Sequence, residues 1–367
     1  MIPGFPVGTI VPGSDLVGRE DIIRSLVNRL QRGENLILAS PRRTGKTSVA
    51  MEILARLQAG GTMTVYLDFF RYAAPEGFAL AFTSEVLKND RILARGLRWV
   101  AQQLPVLSEI KTDFGEAVSL AVELQQKRQL SLDAVLDLGE ALARRRQRHL
   151  VVVLDEFQDA GKFGADVYRT FRSFFQHHQN STYLFLGSRK GLLEALFIRE
   201  NEPFFRFASL EALPPVPALV WEGYLRRKLQ LAGVTVNKNF ARHMAEAAGG
   251  HPGDLMHLGN AVMDVWNGEL DTGTLLDAAY QLTMSRLTPT FGEMWRLLAS
   301  HPGAQVVARR VATGDPLYGK SGRKPSSFQV TRAVHFLAEE GILEKVARGH
   351  YAFGEKMFAD YIRDLEH

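Results

Sequence analysis

The octapeptide Ser40-Pro41-Arg42-Arg43-Thr44-Gly45-Lys46-Thr47 constrains the fold of this chain more than any other stretch. It follows the phosphate-loop pattern G-x-x-x-x-G-K-[ST], with Ser in the first glycine position. Gly45 permits the backbone turn that points successive N–H groups at one anion. Lys46 adds a compact positive charge for β- and γ-phosphates, and the Thr47 hydroxyl is a ligand for Mg²⁺. Such a turn also arises by chance between two elements, so its flanks decide. Upstream, Asn35-Leu36-Ile37-Leu38-Ala39 is a short apolar run of the buried parallel-strand type. Downstream, residues 48–57 have helical apolar spacing and stop at Gly60-Gly61. This succession sets a helix N-terminus and its partial positive charge beneath the phosphates. The predicted nucleotide-phosphate site comprises Pro41, Arg42, Arg43, Thr44, Gly45, Lys46, Thr47 and Ser48.

Further strands are predicted at 63–69, 149–154 and 182–186, with helical segments between most of them. That alternation specifies an α/β fold, a parallel sheet with helices on both faces. The connection from 71 to 148 reads as mostly helical, with a hairpin around 110–124. Beyond 215 the strand signals fade into helices over 217–232, 239–248 and 252–266. The final segment reads as helices over 291–299, 305–313 and 326–340, then strands at 343–346 and 350–353 turning at Arg348-Gly349. At 367 residues the chain exceeds what one core usually serves.

Composition narrows the chemistry. With no cysteine, disulfides, thiolate metal sites and Cys nucleophiles are excluded. A formal net charge of +4 is compatible with nucleic acid but too small to demonstrate it. No run approaches the ~18 apolar residues of a membrane span. The stretch Met1–Ser14 lacks the basic and apolar regions of a signal peptide, so a cytoplasmic protein with no membrane partner is expected.

The second chemical motif is Leu150-Val151-Val152-Val153-Leu154-Asp155-Glu156, an apolar strand ending in two acids. Strands leaving a core often end this way. Opposite a phosphate loop, however, Asp155 is placed to hold Mg²⁺ and Glu156 to orient and deprotonate the attacking water. Ser188, after the strand 182–186, is either a γ-phosphate sensor or ordinary turn chemistry. Arg189 and Arg206 are candidates for a transition-state cation, an effect worth ~10³–10⁵ in turnover. Aromatic neighbours in Pro203-Phe204-Phe205-Arg206-Phe207 leave cation–π packing as the other reading of Arg206. Three weaker signals are assigned no ligand. The run Arg144–Arg148 complements a helix C-terminus, His177-His178 lacks partners at metal spacing, and Phe171, Phe174 and Phe175 have core spacing.

Val17-Gly18-Arg19-Glu20, the phosphate loop, the Asp155-Glu156 strand, Gly187-Ser188 and Pro203–Arg206 together resemble the archaeal-type ATPases of the STAND group. Those are AAA+-related P-loop NTPases, also similar to origin-recognition-type initiators. The resemblance covers nearly the whole chain. It implies an N-terminal arm (1–14), a P-loop ATPase domain (15–212, with 71–148 as its insertion), a helical lid (213–282) and a winged-helix domain (283–367). It places Gly18 and Arg19 near adenine and ribose, and Gly250-His251-Pro252 matches the lid's Gly-x-Pro element, which brings His251 and Pro252 to the nucleotide. Initiators carry a sensor arginine at the start of that lid helix, whereas Gly253 and Asp254 follow Pro252 here. That departure favours the STAND reading over vigorous hydrolysis.

In the winged helix, outward basic and polar candidates for duplex DNA are Arg323, Lys324, Gln329, Arg332 and Arg348, with Arg309, Arg310, Lys320 and Lys345 nearby. Glu339, Glu340 and Glu344 dilute that charge, and winged helices also serve protein contacts or self-association. The expected function is an ATP-binding, Mg²⁺-dependent ATPase whose ATP/ADP state controls the winged helix, with Lys46, Glu156, Ser188 and Arg206 catalytic and Thr47 and Asp155 holding the metal. The alternative is a slowly hydrolysing signalling or scaffold ATPase. A small-molecule kinase on the same loop needs neither lid nor winged helix.

Overall fold

The computed structural model describes residues 4–89, 132–188, 190–317, 326–347 and 349–365. The expected hairpin around 110–124, and Arg189, Lys320, Arg323, Lys324 and Arg348, lie outside the described residues.

Five strands, β1 (Leu36–Ala39), β2 (Met63–Asp68), β3 (Leu150–Asp155), β4 (Ser181–Gly187) and β5 (Ser209–Glu211), form a parallel sheet in the order β2-β3-β4-β1-β5. Every residue of β1, β3 and β4 is buried. Strands covered on both faces are apolar without alternation, which is why these runs were legible. β5 was not foreseen. Its three residues are too few for periodicity, and it sits at the sheet edge, where Glu211 pairs with Arg29.

One face of the sheet is covered by α1 (Glu20–Gln31) and α2 (Lys46–Ala59) through Ile23, Leu26, Leu30, Ile53 and Leu57. The other carries α3 (Pro75–Leu87), α4 (Leu132–Leu136), α5 (Leu138–Arg146), α6 (Val167–Phe175) and α7 (Lys190–Ile198) over an aromatic core. Phe69 stacks on Phe78 at 4.7 Å between centroids, and Phe157 meets Phe204 edge-on at 5.3 Å. Each ring buried this way stabilises the fold by ~1.5–3 kcal/mol. Phe171 and Phe175 belong to this core, with Phe174 packed half-buried against it. Arg144–Arg146 close α5 as expected, and the His178 ring nitrogens bond Tyr183 and Asp137.

The remainder is helical: α8 (Ala218–Leu231), α9 (Phe240–Ala247), α10 (Pro252–Val265) and α11 (Thr272–Ala299). The helix expected over 291–299 is the end of α11, 28 residues long. Asp271 caps its start, and buried Leu275, Ala279, Thr283, Leu287 and Phe291 at four-residue spacing carry it through Pro289. Then follow α12 (Ala304–Thr313), α13 (Ser327–Glu339), the antiparallel hairpin β6 (Leu343–Ala347) and β7 (His350–Phe353), and α14 (Lys356–Asp364). Helix α14 was also unforeseen. Its Met357, Phe358 and Ile362 are buried, and Phe358 packs on Phe291 at 5.4 Å. One apolar cluster runs through all these helices, and Phe5 of the N-terminal arm joins it.

Candidate functional site

Because β4 lies between β1 and β3, the loops leaving three neighbouring strands end side by side at the C-terminal edge of the sheet. Open parallel sheets bind ligands at that edge. Here the loops open into a cavity of about 830 Å³, bounded across from the sheet by α8, α10 and the N-terminal arm.

The loop after β1 turns through Arg43 (φ 61°) and Gly45 (φ 90°), and α2 begins at Lys46. The Lys46 ammonium is buried and donates to the Ser40 and Pro41 carbonyls, each at 2.6 Å. Burial lowers its pKa to about 8, against the opposing pull of the Glu156 and Asp155 charges. The hydroxyl of Ser40, which stands in the first glycine position of the pattern, accepts from the Leu213 N–H at 2.7 Å.

Asp155 ends β3 facing Thr47, whose hydroxyl donates to Asp155 Oδ2 at 2.9 Å. The Tyr66 hydroxyl on β2 donates to the same oxygen at 2.8 Å. Burial raises the Asp155 pKa, which these donors oppose. Glu156 takes a left-handed backbone (φ 49°) that turns its side chain toward β4. There its Oε2 accepts from the Ser188 N–H at 3.1 Å and the Ser188 hydroxyl at 2.9 Å. Lys46, Thr47, Asp155, Glu156 and Ser188 therefore share one wall of the cavity.

On the lid side, Gly250 (φ 70°) passes so close to Val216 that an added Cβ would lie 2.5 Å from its carbonyl oxygen. The Trp221 indole N–H holds the Gly250 carbonyl at 3.2 Å. Pro252 and Gly253 line the cavity. His251 does not: it is buried, with Nε2 3.3 Å from the Arg42 carbonyl and Nδ1 accepting from the Asp254 N–H at 3.3 Å. Arg19 lines the cavity but donates to the Pro214 carbonyl at 2.6 Å, and burial holds its guanidinium below its ordinary pKa. Gly18 (φ 66°) packs on Val216 behind the lining.

Arg206 lies outside the cavity lining. It is exposed, with its guanidinium 5.0 Å from the Phe205 ring centroid. In the C-terminal module, Arg332 is exposed over the Phe328 ring at 5.7 Å. The Gln329 side chain accepts from the Ser326 N–H at 2.8 Å and so closes the capping box of α13.

Sequence reasoning missed Tyr66, Trp221, Met256 and the arm residues Val7–Val11, all of which line the cavity. Tyr66 and Trp221 sit in regular elements with no motif around them. The arm gave no periodic signal. It is pinned by paired hydrogen bonds between the Phe5 backbone and the Asn260 amide, and by the Val11 N–H on Ser48 Oγ at 3.1 Å. Also unforeseen is an ion pair from Arg43 in the loop to Glu355 just before α14, at 3.2 Å.

No protein-family model matches the chain, and no curated protein does. Among solved structures it is similar to a Walker-type ATPase of Pyrococcus abyssi, with 18% identity and a TM-score of 0.72 over 98% of this chain and 99% of that one. It is also similar to the Aeropyrum pernix ORC2 protein in its ADPNP–ADP complexes, with 14% identity and a TM-score of 0.55 over 99% and 97% of the two chains. These likenesses establish the fold: a P-loop NTPase sheet followed by a helical lid and a winged-helix domain.

Proposed function

We propose that this chain is a Mg²⁺-dependent P-loop ATPase of STAND type, a nucleotide-controlled switch whose C-terminal winged helix meets duplex DNA. The observation that carries the reading is the convergence of Lys46, Thr47, Asp155, Glu156 and Ser188 on one cavity wall. Both similar structures are consistent with it, one named a Walker-type ATPase and the other holding ADPNP and ADP. The lid helix start, Gly253-Asp254 in place of a sensor arginine, supports a switch over a fast motor.

In this reading the backbone N–H groups of residues 42–47 cradle the phosphates, and Lys46 leaves the Ser40 and Pro41 carbonyls for the γ-phosphate. Thr47 Oγ1 and Asp155 Oδ2 offer adjacent hard oxygens of the kind Mg²⁺ prefers, and the ion would neutralise charge on the β- and γ-phosphates. Leu16, Val17, Trp221 and Met256 supply an apolar slot for the base. Glu156 orients a water against the γ-phosphorus and takes its proton as the bond to the ADP oxygen breaks. Ser188 fixes the carboxylate for that task. Arg206 is exposed outside this cavity's lining, so a catalytic role for it requires the cavity of a neighbouring copy, and its stacking on Phe205 is the other reading. Glu156→Gln tests the core of the proposal: nucleotide binding persists while turnover is lost. Normal hydrolysis by that variant would assign the base elsewhere.

A slowly hydrolysing scaffold whose winged helix binds protein is favoured by one observation, the exposure of Phe328 and Val346, each 69%. Salt titration separates the readings. DNA affinity that falls steeply with salt, with a slope reduced by about one charge in Arg332→Ala, supports DNA. Salt-insensitive behaviour supports a protein partner.

A further inference from the structure

Behind the phosphate loop, three groups from two distant parts of the chain meet. His251 begins the lid helix α10, Asp254 lies one turn along it, and Glu355 precedes α14 of the C-terminal module. One potential ligand atom from each lies within 4.8 Å of the others. Lys356, next to Glu355, fixes their approach by donating to the Ala247 carbonyl at the end of α9, at 2.8 Å.

Asp254 is fully buried, and neither of its carboxylate oxygens has a hydrogen-bond donor aligned on it. An unpaired buried carboxylate is among the costliest groups a fold can carry. Arg43 reaches one Glu355 oxygen from the loop side, and the group of opposite charge beside Asp254 is the His251 imidazole.

The imidazole is oriented as metal ligands are. Its Nε2 is directed at the Arg42 carbonyl, the kind of outer partner that fixes a ligating tautomer, and Nδ1 faces the carboxylates. Nδ1 and Asp254 Oδ1 stand 3.2 Å apart. Two ligands of a tetrahedral Zn²⁺, with bonds of ~2.0–2.2 Å, stand about 3.3–3.6 Å apart. The Asp254 backbone N–H near Nδ1 is a long contact at 3.3 Å that an ion would displace. We propose that His251, Asp254 and Glu355 bind a divalent transition ion, Zn²⁺ by donor set, that clips the lid to the C-terminal module behind the phosphate loop. One imidazole and two carboxylates suit Zn²⁺ better than Mg²⁺, which takes oxygen donors. The site is separate from the Thr47–Asp155 pair. It joins the lid helix to the C-terminal module, two of the parts that the proposed nucleotide switch has to coordinate.

The test uses the full chain, stripped with EDTA, without nucleotide or Mg²⁺, in wild type and in an Asp155→Asn background that removes the other metal pair. Zn²⁺ titrated by calorimetry is expected to bind one per chain in both and to raise Tm. Co²⁺ should give the visible absorption of a low-coordinate nitrogen–oxygen site. Glu355→Gln and Asp254→Asn should each weaken Zn²⁺ at least ~10-fold, the loss that even an outer partner causes. Without metal these variants should still unfold in one cooperative transition, which shows that they fold. No saturable Zn²⁺ binding and no change in wild-type Tm would overturn the proposal and leave a shared proton in its place. Binding that both variants leave unchanged would overturn it equally.

Discussion

Tyr66→Phe removes a single oxygen atom and isolates the second layer of the metal pair. The Tyr66 hydroxyl and the Thr47 hydroxyl both donate to Asp155 Oδ2, at 2.8 and 2.9 Å. In the proposed Mg²⁺ site Thr47 would turn its oxygen to the ion, and Tyr66 would be the donor that keeps the Asp155 carboxylate aimed. A hydrogen bond to a charged acceptor contributes ~1.5–3 kcal/mol. Tyr66 lines the open cavity, so water recovers part of this and the lower end applies. At about 1.4 kcal/mol per decade, the Mg²⁺ concentration for half-maximal hydrolysis should rise roughly tenfold. The assay is ATP hydrolysis against Mg²⁺ at saturating nucleotide, paired with binding of a fluorescent ADP in EDTA. The first curve should move and the second should not. Superimposable Mg²⁺ curves would refute the positioning role, and equal losses in both assays would show damage to the loop instead.

Two further outcomes follow from local geometry and charge. Gly250→Ala forces a Cβ to 2.5 Å from the Val216 carbonyl in a left-handed backbone, so urea unfolding should show a loss of ~2–4 kcal/mol. A loss under about 0.5 kcal/mol, ordinary for a surface change, would mean the lid turn yields freely. Lys46 has its folded pKa lowered from 10.5 to about 8, so between those values the unfolded chain holds a proton that the folded chain has released. This contribution therefore makes the nucleotide-free protein more stable as pH rises through that window, and Lys46→Met should flatten the rise. Nucleotide affinity moves the opposite way, falling above pH 8 as the ammonium is lost. Affinity that stays constant to pH 9.5 would detach phosphate binding from Lys46.

What was legible in the sequence was local. Strand, loop and helix around Lys46 lie within about two dozen consecutive residues, and the Asp155-Glu156 pair closes an unbroken apolar strand. Each shows its chemistry without knowledge of the rest of the chain. Partnerships across the fold were not visible. Nothing around Tyr66 marks it as a donor to a residue 89 positions away, and nothing around Glu355 announces Arg43, 312 positions back. Helix α14 is short and enters after a hairpin, so its apolar face reads as the tail of the wing. Arg206 shows the limit from the other side. Its aromatic neighbours suggested a special role equally well for catalysis and for stacking, and only the direction of the side chain separates the two within one chain.

The N-terminal arm sets a length. Phe5 is seated among lid side chains while Val11 is fastened to Ser48 on α2, so six residue steps join the lid to the helix behind the phosphate loop. A fully extended chain covers ~3.3–3.6 Å per residue. In the proposed switch the arm would thus be a leash of about 20 Å on any swing of the lid away from α2. Up to that distance the lid would open with Phe5 in place. Beyond it, the Phe5 ring would first have to be drawn out of the core, so the widest openings of this cleft would also be local unfolding events.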